Sequence, residues 1–387
     1  MKFNKQNWKE ILLGDVVDHI EINERNPAIR AQSKFINVSD VGILDLRLKG
    51  FSSEEKPSFN RTVQKGQILF AKRWAISTTY PSKVAISNIN GICSPHLWAL
   101  ETKNGLLQNL LPFLLQTNRF FNYCDRHSAG SLAGVYLKWE PFSNFPIKLP
   151  PLEQQKEILD LFLTLESQIN NSEKQINQLK LLLKKLRDDL VNKDATFGSL
   201  INLQQCKKVT LGDVAYEARE NTKTPLEDGI EKFIGLENIE PGNLMVQGFG
   251  LVEDGTTFTK KFQVGDVLFG RRRAYLKKTA LADFKGICSG DITVLRSNRD
   301  LMLPELLPHY MSADNIFDFA VQTSAGSLSP RTKWKDLSKY ELLLPDLDSQ
   351  RKILDIFNSI VENINQNKDQ RETLKKLKYK LLDEIFD

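Results

Sequence analysis

The sequence contains few of the residues from which metal sites, disulfides and nucleophilic catalytic centres are built. Only four cysteines and four histidines occur among 387 residues, and both types are widely dispersed. No Cys-x-x-Cys pair is present, and the histidines form no ligand pattern with one another or with carboxylates. We therefore expect the cysteines to be reduced core residues, and we expect no metal site.

The motifs of the common enzyme classes are also missing. The chain has no GxxxxGK[ST] phosphate loop, no HExxH and no GxSxG. It also lacks a glycine-rich adenosylmethionine loop and an Asn/Asp-Pro-Pro-aromatic motif. His127 lies beside a Ser-Ala-Gly-Ser segment, but Thr323 takes its place in the second half of the chain, so we interpret it as a polar loop residue. The chain alone is predicted to be non-catalytic and to need no cofactor.

No apolar run reaches transmembrane length, and no signal peptide pattern is present. The expected location is the cytoplasm, without a membrane partner. Hydrophobic residues make up 41% of the chain and charged residues 26%, as in ordinary globular proteins. The net charge is +5, and the positive excess lies in the first 151 residues, which weakly indicates a polyanionic partner.

Two segments, 152–193 and 346–386, lack both glycine and proline, and each follows a proline-containing turn. Their apolar residues recur at alternating spacings of four and three, which predicts long helices with a coiled-coil seam. In the second segment Arg371 and Lys378 replace Ile176 and Leu183 of the first, so the second seam is poorer in its C-terminal half. The predicted seam residues are Ile158, Phe162, Leu165, Ile169, Ile176, Leu179, Leu183, Leu186, Leu190, Ile353, Phe357, Ile360, Ile364, Leu374, Leu381 and Ile385.

A narrow apolar stripe on a long helix needs a partner, and the nearest partner is the other copy. Antiparallel pairing would relate the two halves of the chain by a pseudo-twofold axis. The heptads alone do not decide the direction of pairing, although closed twofold pairing is the commoner way for like units to associate.

The segments that precede the helices are repeated too. Six ordered sequence blocks return after an offset of 195 to 199 residues; among them, KGQILFAKR beginning at Lys65 returns as VGDVLFGRR beginning at Val264. Short apolar runs punctuated by glycine and polar residues predict strands, and Leu106–Arg119 and Pro304–Met311 look helical. The predicted fold class is α/β (α+β), with mixed, strand-rich globular domains at 1–150 and 195–345 and long helices at 151–194 and 346–387.

Three features suggest nucleic-acid binding. Basic residues follow the Leu-Phe strand end in both copies, the Ser-Ala-Gly-Ser segments offer backbone amides, and the duplicated layout suits a duplex with two half-sites. A solvated turn remains the alternative for the arginines, and a plain turn for the Ser-Ala-Gly-Ser segments. The candidate DNA-binding residues are Lys72, Arg73, Trp74, Lys83, Ser128, Gly130, Ser131, Lys138, Arg271, Arg272, Arg273, Tyr275, Lys277, Lys278, Ser324, Gly326, Ser327, Arg331 and Lys333.

Taken together, the blocks resemble the DNA-specificity subunit of type I restriction–modification systems over essentially the whole chain. The resemblance rests on the W-x5-GDV start, the two strand blocks, the Ser-Ala-Gly-Ser segments and the helix starts PPLEQQKEIL and PDLDSQRKIL. It implies two target recognition domains, each reading half of an asymmetric bipartite site on double-stranded DNA. It also implies an antiparallel coiled coil that sets the spacer and docks two modification subunits, which methylate adenine from adenosylmethionine. Restriction subunits would complete the complex.

An adaptor that assembles protein partners through its coiled coil, without reading DNA, is the alternative function. Salt dependence of DNA binding distinguishes the two, because phosphate contacts weaken steeply as salt rises.

Overall fold

The computed structural model describes residues 3–42, 46–74, 83–131, 134–191, 206–326 and 329–386, with the backbone alone for Trp74 and Ser131. The chain divides into two compact units. The first contains Met1–Ser172 and Asp369–Asp387, and the second contains Glu173–Lys368. Each unit therefore includes one globular domain, part of the long helix that follows it and part of the other long helix.

The first unit is a strand-rich domain with short helices, and the first long helix begins in it. Its strands are β1 (Lys9–Leu12), β2 (Val17–Ile20), β3 (Phe35–Ile36), β4 (Arg61–Val63), β5 (Ile68–Ala71), β6 (Arg73–Trp74), β7 (Val84–Ile86), β8 (Gly91–Cys93), β9 (Leu97–Thr102), β10 (Ala129–Ser131), β11 (Gly134–Tyr136) and β12 (Pro146–Leu149). Its helices are α1 (Leu13–Val16), α2 (Pro27–Arg30), α3 (Leu111–Leu114), α4 (Asn118–Arg126), α5 (Trp139–Ser143) and α6 (Leu152–Val191).

The described residues of this domain form four small sheets. They have the orders β2-β9-β5-β7, β3-β8-β4, β10-β11-β6 and β1-β12. The β1-β12 ribbon pairs Lys9 with Leu149, so the first strand of the domain lies against the strand that leads into α6. Both faces of β5 are buried, as expected for its uninterrupted apolar sequence.

The second unit repeats this plan. Its strands are β13 (Lys207–Thr210), β14 (Ala215–Glu217), β15 (Lys232–Ile234), β16 (Gly250–Leu251), β17 (Lys260–Phe262), β18 (Val267–Gly270), β19 (Thr279–Leu281), β20 (Gly286–Cys288), β21 (Ile292–Ser297) and β22 (Glu341–Leu344). Its helices are α7 (Leu211–Val214), α8 (Leu307–Met311), α9 (Asp314–Gln322), α10 (Trp334–Leu337) and α11 (Leu347–Phe386), and its sheets are β14-β21-β18-β19, β16-β15-β20-β17 and β13-β22.

The two long helices, α6 and α11, have 40 residues each and are about 60 Å long at ~1.5 Å per residue. In the first unit, the start of α6 shares a core with the end of α11. In the second unit, the end of α6 shares a core with the start of α11. The helices therefore pack antiparallel, and the predicted fold class is confirmed. No helix in the described ranges is both long and apolar enough to cross a membrane.

Most residues of the predicted seam are buried within their own unit. The buried ones are Ile158, Phe162, Leu165, Ile169, Ile176, Leu183, Leu190, Ile353, Phe357, Ile360, Ile364 and Ile385, whereas Leu179, Leu186, Leu374 and Leu381 are half-buried. Lys378, the charged substitution in the second seam, is only 1% exposed and forms an ion pair with Glu166 of α6. The poorer part of the seam thus contains a buried ion pair.

One predicted helix is interrupted. The segment Leu106–Arg119 contains α3, but a new helix, α4, starts at Asn118. The cause is Thr117, which has extended backbone angles and whose hydroxyl accepts a hydrogen bond from Phe120 N at 3.2 Å. A threonine hydroxyl that caps a helix in this way ends the preceding helical run.

Candidate nucleic-acid interface

In the first unit, a small sheet brings the basic block next to the Ser-Ala-Gly-Ser segment. Strand β11 lies between β6, which begins at Arg73, and β10, which contains Gly130. The register pairs Arg73 with Tyr136, and Gly130 with Val135. Two segments that are more than fifty positions apart in the sequence therefore meet at one place.

Gly130 is required by this pairing. A Cβ at this position would lie 2.3 Å from the carbonyl oxygen of Gly134 and 2.7 Å from the Cα of Val135. Such distances are not tolerated, so the strands can approach this closely only with glycine here. The glycine of the segment thus has a packing role, whatever its relation to a phosphate.

The second unit has the same arrangement, although with single bridges instead of strands. Arg331 forms bridges to both Arg272 and Ala325. Thr332 N donates to Arg271 O at 3.0 Å, which matches the bond from Leu137 N to Lys72 O at 2.9 Å in the first unit. Both domains therefore bring the predicted basic block and the Ser-Ala-Gly-Ser segment together.

A carboxylate organises the arginines of the second unit. Arg272 Nη1 lies 3.0 Å from one oxygen of Asp291, and Arg331 Nε lies 2.9 Å from the other. Arg272 also donates to Ser329 Oγ through Nε and Nη2, at 3.3 and 3.1 Å. Burial opposes ionisation of Asp291, but hydrogen bonds from Arg331 and Arg272 outweigh it and lower the pKa of this carboxyl group. Two partly exposed guanidinium groups are thus held in fixed orientations.

His96 of the first unit is equivalent to Asp291 of the second. Neither residue was among the candidates from the sequence. The carbonyl oxygen of His96 accepts from Lys72 N at 3.0 Å, as that of Asp291 accepts from Arg271 N at 2.9 Å. Burial lowers the pKa of His96, and the charges of Arg73 and Lys72 lower it further. The sequence does mark these two positions as equivalent, since each lies two residues after the repeated Gly-Ile-Cys-Ser block.

Lys72 lies inside the first domain. It is 4% exposed, and its ammonium group lies 5.4 Å from the ring centroid of Trp98 and 5.3 Å from that of Tyr136. This geometry favours a cation–π contact, which compensates part of the cost of burial. Its neighbour Arg73 is exposed, so of these two cations it is the arginine that faces the surface.

Two candidate lysines at equivalent positions hold a neighbouring turn. Lys83 Nζ donates to Val38 O at 3.3 Å, and Lys278 Nζ donates to Leu236 O at 2.6 Å. Burial lowers the pKa of Lys83, and Lys49 lowers it further. Each ammonium group therefore has a structural hydrogen bond in its own domain.

The turn after β18 has an unusual backbone. Arg273 and Lys277 adopt φ angles of 51° and 53°, in the left-handed region that non-glycine residues rarely occupy. Between them Tyr275 is 55% exposed. Lys277 Nζ forms an ion pair with Asp314 at 2.7 Å. Arg273 is exposed, its backbone N–H donates to Pro330 O at 2.9 Å, and its guanidinium group forms no ion pair with the described residues.

The serine hydroxyls of the two segments act locally. Ser128 Oγ donates to Cys124 O, and Ser324 Oγ donates to Ala320 O, both at 2.6 Å. Gly326 has a φ of 114°, which favours glycine. Ser327 lies outside the described residues, and only the backbone of Trp74 and Ser131 is described. Lys138 and Lys333, just before α5 and α10, are exposed.

A DNA-specificity class of protein fits these features: two similar domains, paired long helices and, in each domain, basic residues close to a Ser-Ala-Gly-Ser segment. The sequence matches the family described as "Type I restriction modification DNA specificity domain" over residues 5–181 and 204–376. The two ranges cover most of the chain, which therefore belongs to this family.

One curated relative is the type I restriction enzyme EcoDI specificity subunit of Escherichia coli, which is 23% identical over 249 residues. The match covers 57% of this chain and 55% of that protein, about half the length of each. Solved structures show the same fold. A chain solved for the complex assembly and conformational transition of the type I R-M system has a TM-score of 0.60 at 17% identity, with 98% of this chain and 97% of that one covered. The type I restriction-modification S subunit from M. genitalium has a TM-score of 0.55 at 14% identity, with 100% and 98% covered.

Proposed function

We propose that this chain is the DNA-recognition subunit of a type I restriction–modification complex. The observation that carries the proposal is that basic residues lie close to the Ser-Ala-Gly-Ser segment in both domains of a chain that belongs to a DNA-specificity family. Arginine suits both guanine edges and phosphates. The adaptor alternative explains neither the family match nor the presence of this arrangement in both domains.

Each globular domain would read one half of an asymmetric bipartite site on double-stranded DNA. We assign 1–150 and 195–345 as the target recognition domains, and 151–194 and 346–387 as the spacer helices. The residues at one equivalent position differ, Asp291 in the second domain and His96 in the first, and this difference supports different half-sites. A carboxylate that fixes two guanidinium groups reduces the conformational entropy lost when those groups bind.

The basic residues divide into two groups by their surroundings. Arg272 and Arg331 share Asp291 and keep fixed directions, as base recognition requires. Arg273, Lys138 and Lys333 are exposed and suit phosphates, which need charge more than direction. We propose the first group for base contacts and the second for the DNA backbone.

The long helices would set the spacer between the half-sites and dock two modification subunits. Methylation of adenine from adenosylmethionine would belong to those subunits, and translocation and cleavage to the restriction subunits. This chain would contribute specificity without a reaction of its own. Host DNA as the target makes the cytoplasm the compartment we propose.

The first test is methylation mapping by whole-genome sequencing of a host that expresses this chain with its modification partner. A bipartite motif that appears only with this chain supports the proposal. Exchange of residues 1–150 for the corresponding domain of another family member should then change one half of the motif. A motif independent of the chain, or a change in both halves after the exchange, contradicts it.

The second test measures DNA binding by the complex of this chain with its modification partner. We expect Arg272→Ala to weaken binding to the mapped site by ~1–3 kcal/mol. Arg299→Ala is the matched control, because Arg299 is an exposed arginine of the same domain that we do not assign to the interface. Affinity should fall steeply as salt rises. Equal effects of the two variants, or binding indifferent to salt, would exclude the assigned interface.

A further inference from the structure

A glutamine joins the first domain to the start of its helix. Gln155, the fourth residue of α6, is 0% exposed. Its Oε1 accepts a hydrogen bond from Leu107 N at 2.9 Å, and its Nε2 donates to Gly105 O at 2.7 Å and to Pro150 O at 2.8 Å. One side-chain amide therefore links the helix, the turn before it and a loop of the domain.

The second domain has the same junction. Gln350, the fourth residue of α11, is also 0% exposed. Its Oε1 accepts from Leu303 N at 3.0 Å, and its Nε2 donates to Leu301 O at 2.7 Å and to Pro345 O at 2.9 Å. All three bonds of Gln155 recur, so we call this pair the junction glutamines.

Each domain is also held by the end of the other long helix. In the first unit, Asp383 of α11 accepts from Asn118 N at 3.1 Å and from Asn118 Nδ2 at 2.6 Å. In the second unit, Asp188 of α6 accepts from Asp314 N at 2.7 Å. Both aspartates thus accept from the first residue of an equivalent short helix, α4 or α9. We call Asp188 and Asp383 the anchor aspartates.

These bonds restrict rotation in a way that apolar packing does not. A buried amide with three directed hydrogen bonds has one orientation, and each backbone group left unpaired by its loss costs ~1–3 kcal/mol. Apolar side chains at a helix contact can slide by small amounts, as in shear motions. A junction glutamine and an anchor aspartate together fix each domain to both helices at two points.

We propose that the junction glutamines and anchor aspartates are positioning residues that set the spacing between the two half-sites. This rests on the proposed function. One base pair is ~3.4 Å along DNA. A domain of about 150 residues has a radius of gyration of ~15 Å. A rotation of the domain by roughly 10° therefore moves its surface by about the length of one base pair. Loss of the directed bonds permits rotations of this size without changing the side chains that contact bases.

The experiment compares methylation maps of hosts that express the complete complex. The variant carries Gln155→Ala and Gln350→Ala, and the control carries Gln178→Ala and Gln370→Ala, two exposed glutamines of the same helices. We expect the variant to keep the bases of both half-sites. Methylation at sites whose spacer is one base pair longer or shorter should rise roughly tenfold. The free energy of about one hydrogen bond, which would no longer favour the correct spacer, corresponds to a factor of this size. The control should keep the wild-type spacing.

A second variant, Asp188→Ala with Asp383→Ala, tests the proposal if the glutamine variant does not fold. Both aspartates are half-buried, so their loss should disturb folding less than the loss of the fully buried glutamines. It should relax the spacing in the same sense. Unchanged spacing in every folded variant overturns the proposal, and so does a change in the half-site bases. If wild-type chain produces no dependent motif at all, the proposed function fails instead.

Discussion

The ion pair between Lys378 and Glu166 makes a sharp prediction about the stability of the first unit. Lys378 is 1% exposed, and the side chain of Glu166 is 11% exposed. The repeat places Leu183 at the position equivalent to Lys378 and Val361 at the position equivalent to Glu166. In the second unit Leu183 is buried in the apolar core, and the half-buried Val361 packs against that core. The chain therefore contains an apolar counterpart of its own buried ion pair.

We expect Lys378→Leu to lower the free energy of unfolding by ~3–5 kcal/mol, because it leaves a buried carboxylate without its partner. The double variant Glu166→Val with Lys378→Leu copies the second unit and should recover to within ~1 kcal/mol of wild type, or exceed it. For a unit of about 190 residues, the single variant should lower Tm by roughly 6–20 °C. Urea and thermal unfolding of the full chain at pH 7 measure both quantities.

Lys376→Leu is the matched control, since Lys376 is exposed on the same helix and a surface change of this kind should cost under ~0.5 kcal/mol. Two results would refute the reasoning. One is a single Lys378 variant within ~1 kcal/mol of wild type, and the other is a double variant as unstable as the single one.

Three further predictions concern other buried or constrained residues. Burial, together with the charge of Arg187, lowers the pKa of His309 to about 3, so stability present above pH 6.5 should be lost as pH falls from 6.5 towards 3. His309→Phe combined with Arg187→Leu should remove about 2 kcal/mol of the loss between pH 7 and pH 5, measured by urea unfolding at both values. Lys278→Ala should lower the free energy of unfolding by ~1–2 kcal/mol through loss of a backbone hydrogen bond, and calorimetry checks this. Gly130→Ala should cost ~1–3 kcal/mol, whereas Gly50→Ala should cost little in the same unfolding assay, because a Cβ at Gly50 would have nothing within 4 Å.

Equivalent positions in the two units carry different buried polar groups. His309 of the second unit stacks on Phe357 at 4.2 Å, where Phe113 of the first stacks on Phe162 at 4.9 Å. Arg187 is buried where the first unit has Leu382. The two units thus share the arrangement of their apolar cores, but each contains a buried cation at a different position, Lys378 in the first unit and Arg187 in the second. These differences give each unit its own packing, although the sequence blocks that build them are shared.

The sequence alone determined the duplicated plan, the two long helices and the family. Heptad spacing is a local property, so it predicted two long helices, and the structure contains them at Leu152–Val191 and Leu347–Phe386. The repeat is equally visible because block order survives even where single residues differ. Neither property depends on which distant residues come into contact.

Only the tertiary structure decided which candidate side chains share a surface. Strand pairing placed Arg73 and Gly130 on opposite sides of the same strand, β11, and the fold turned Lys72 inward against two aromatic rings. Adjacent residues of a strand point to opposite faces, and the face that becomes the interior depends on long-range packing. Asp291 acquired its role in the same way, because two arginines from separate segments reach one carboxylate. Such contacts join residues far apart in the sequence, so composition and spacing cannot specify them.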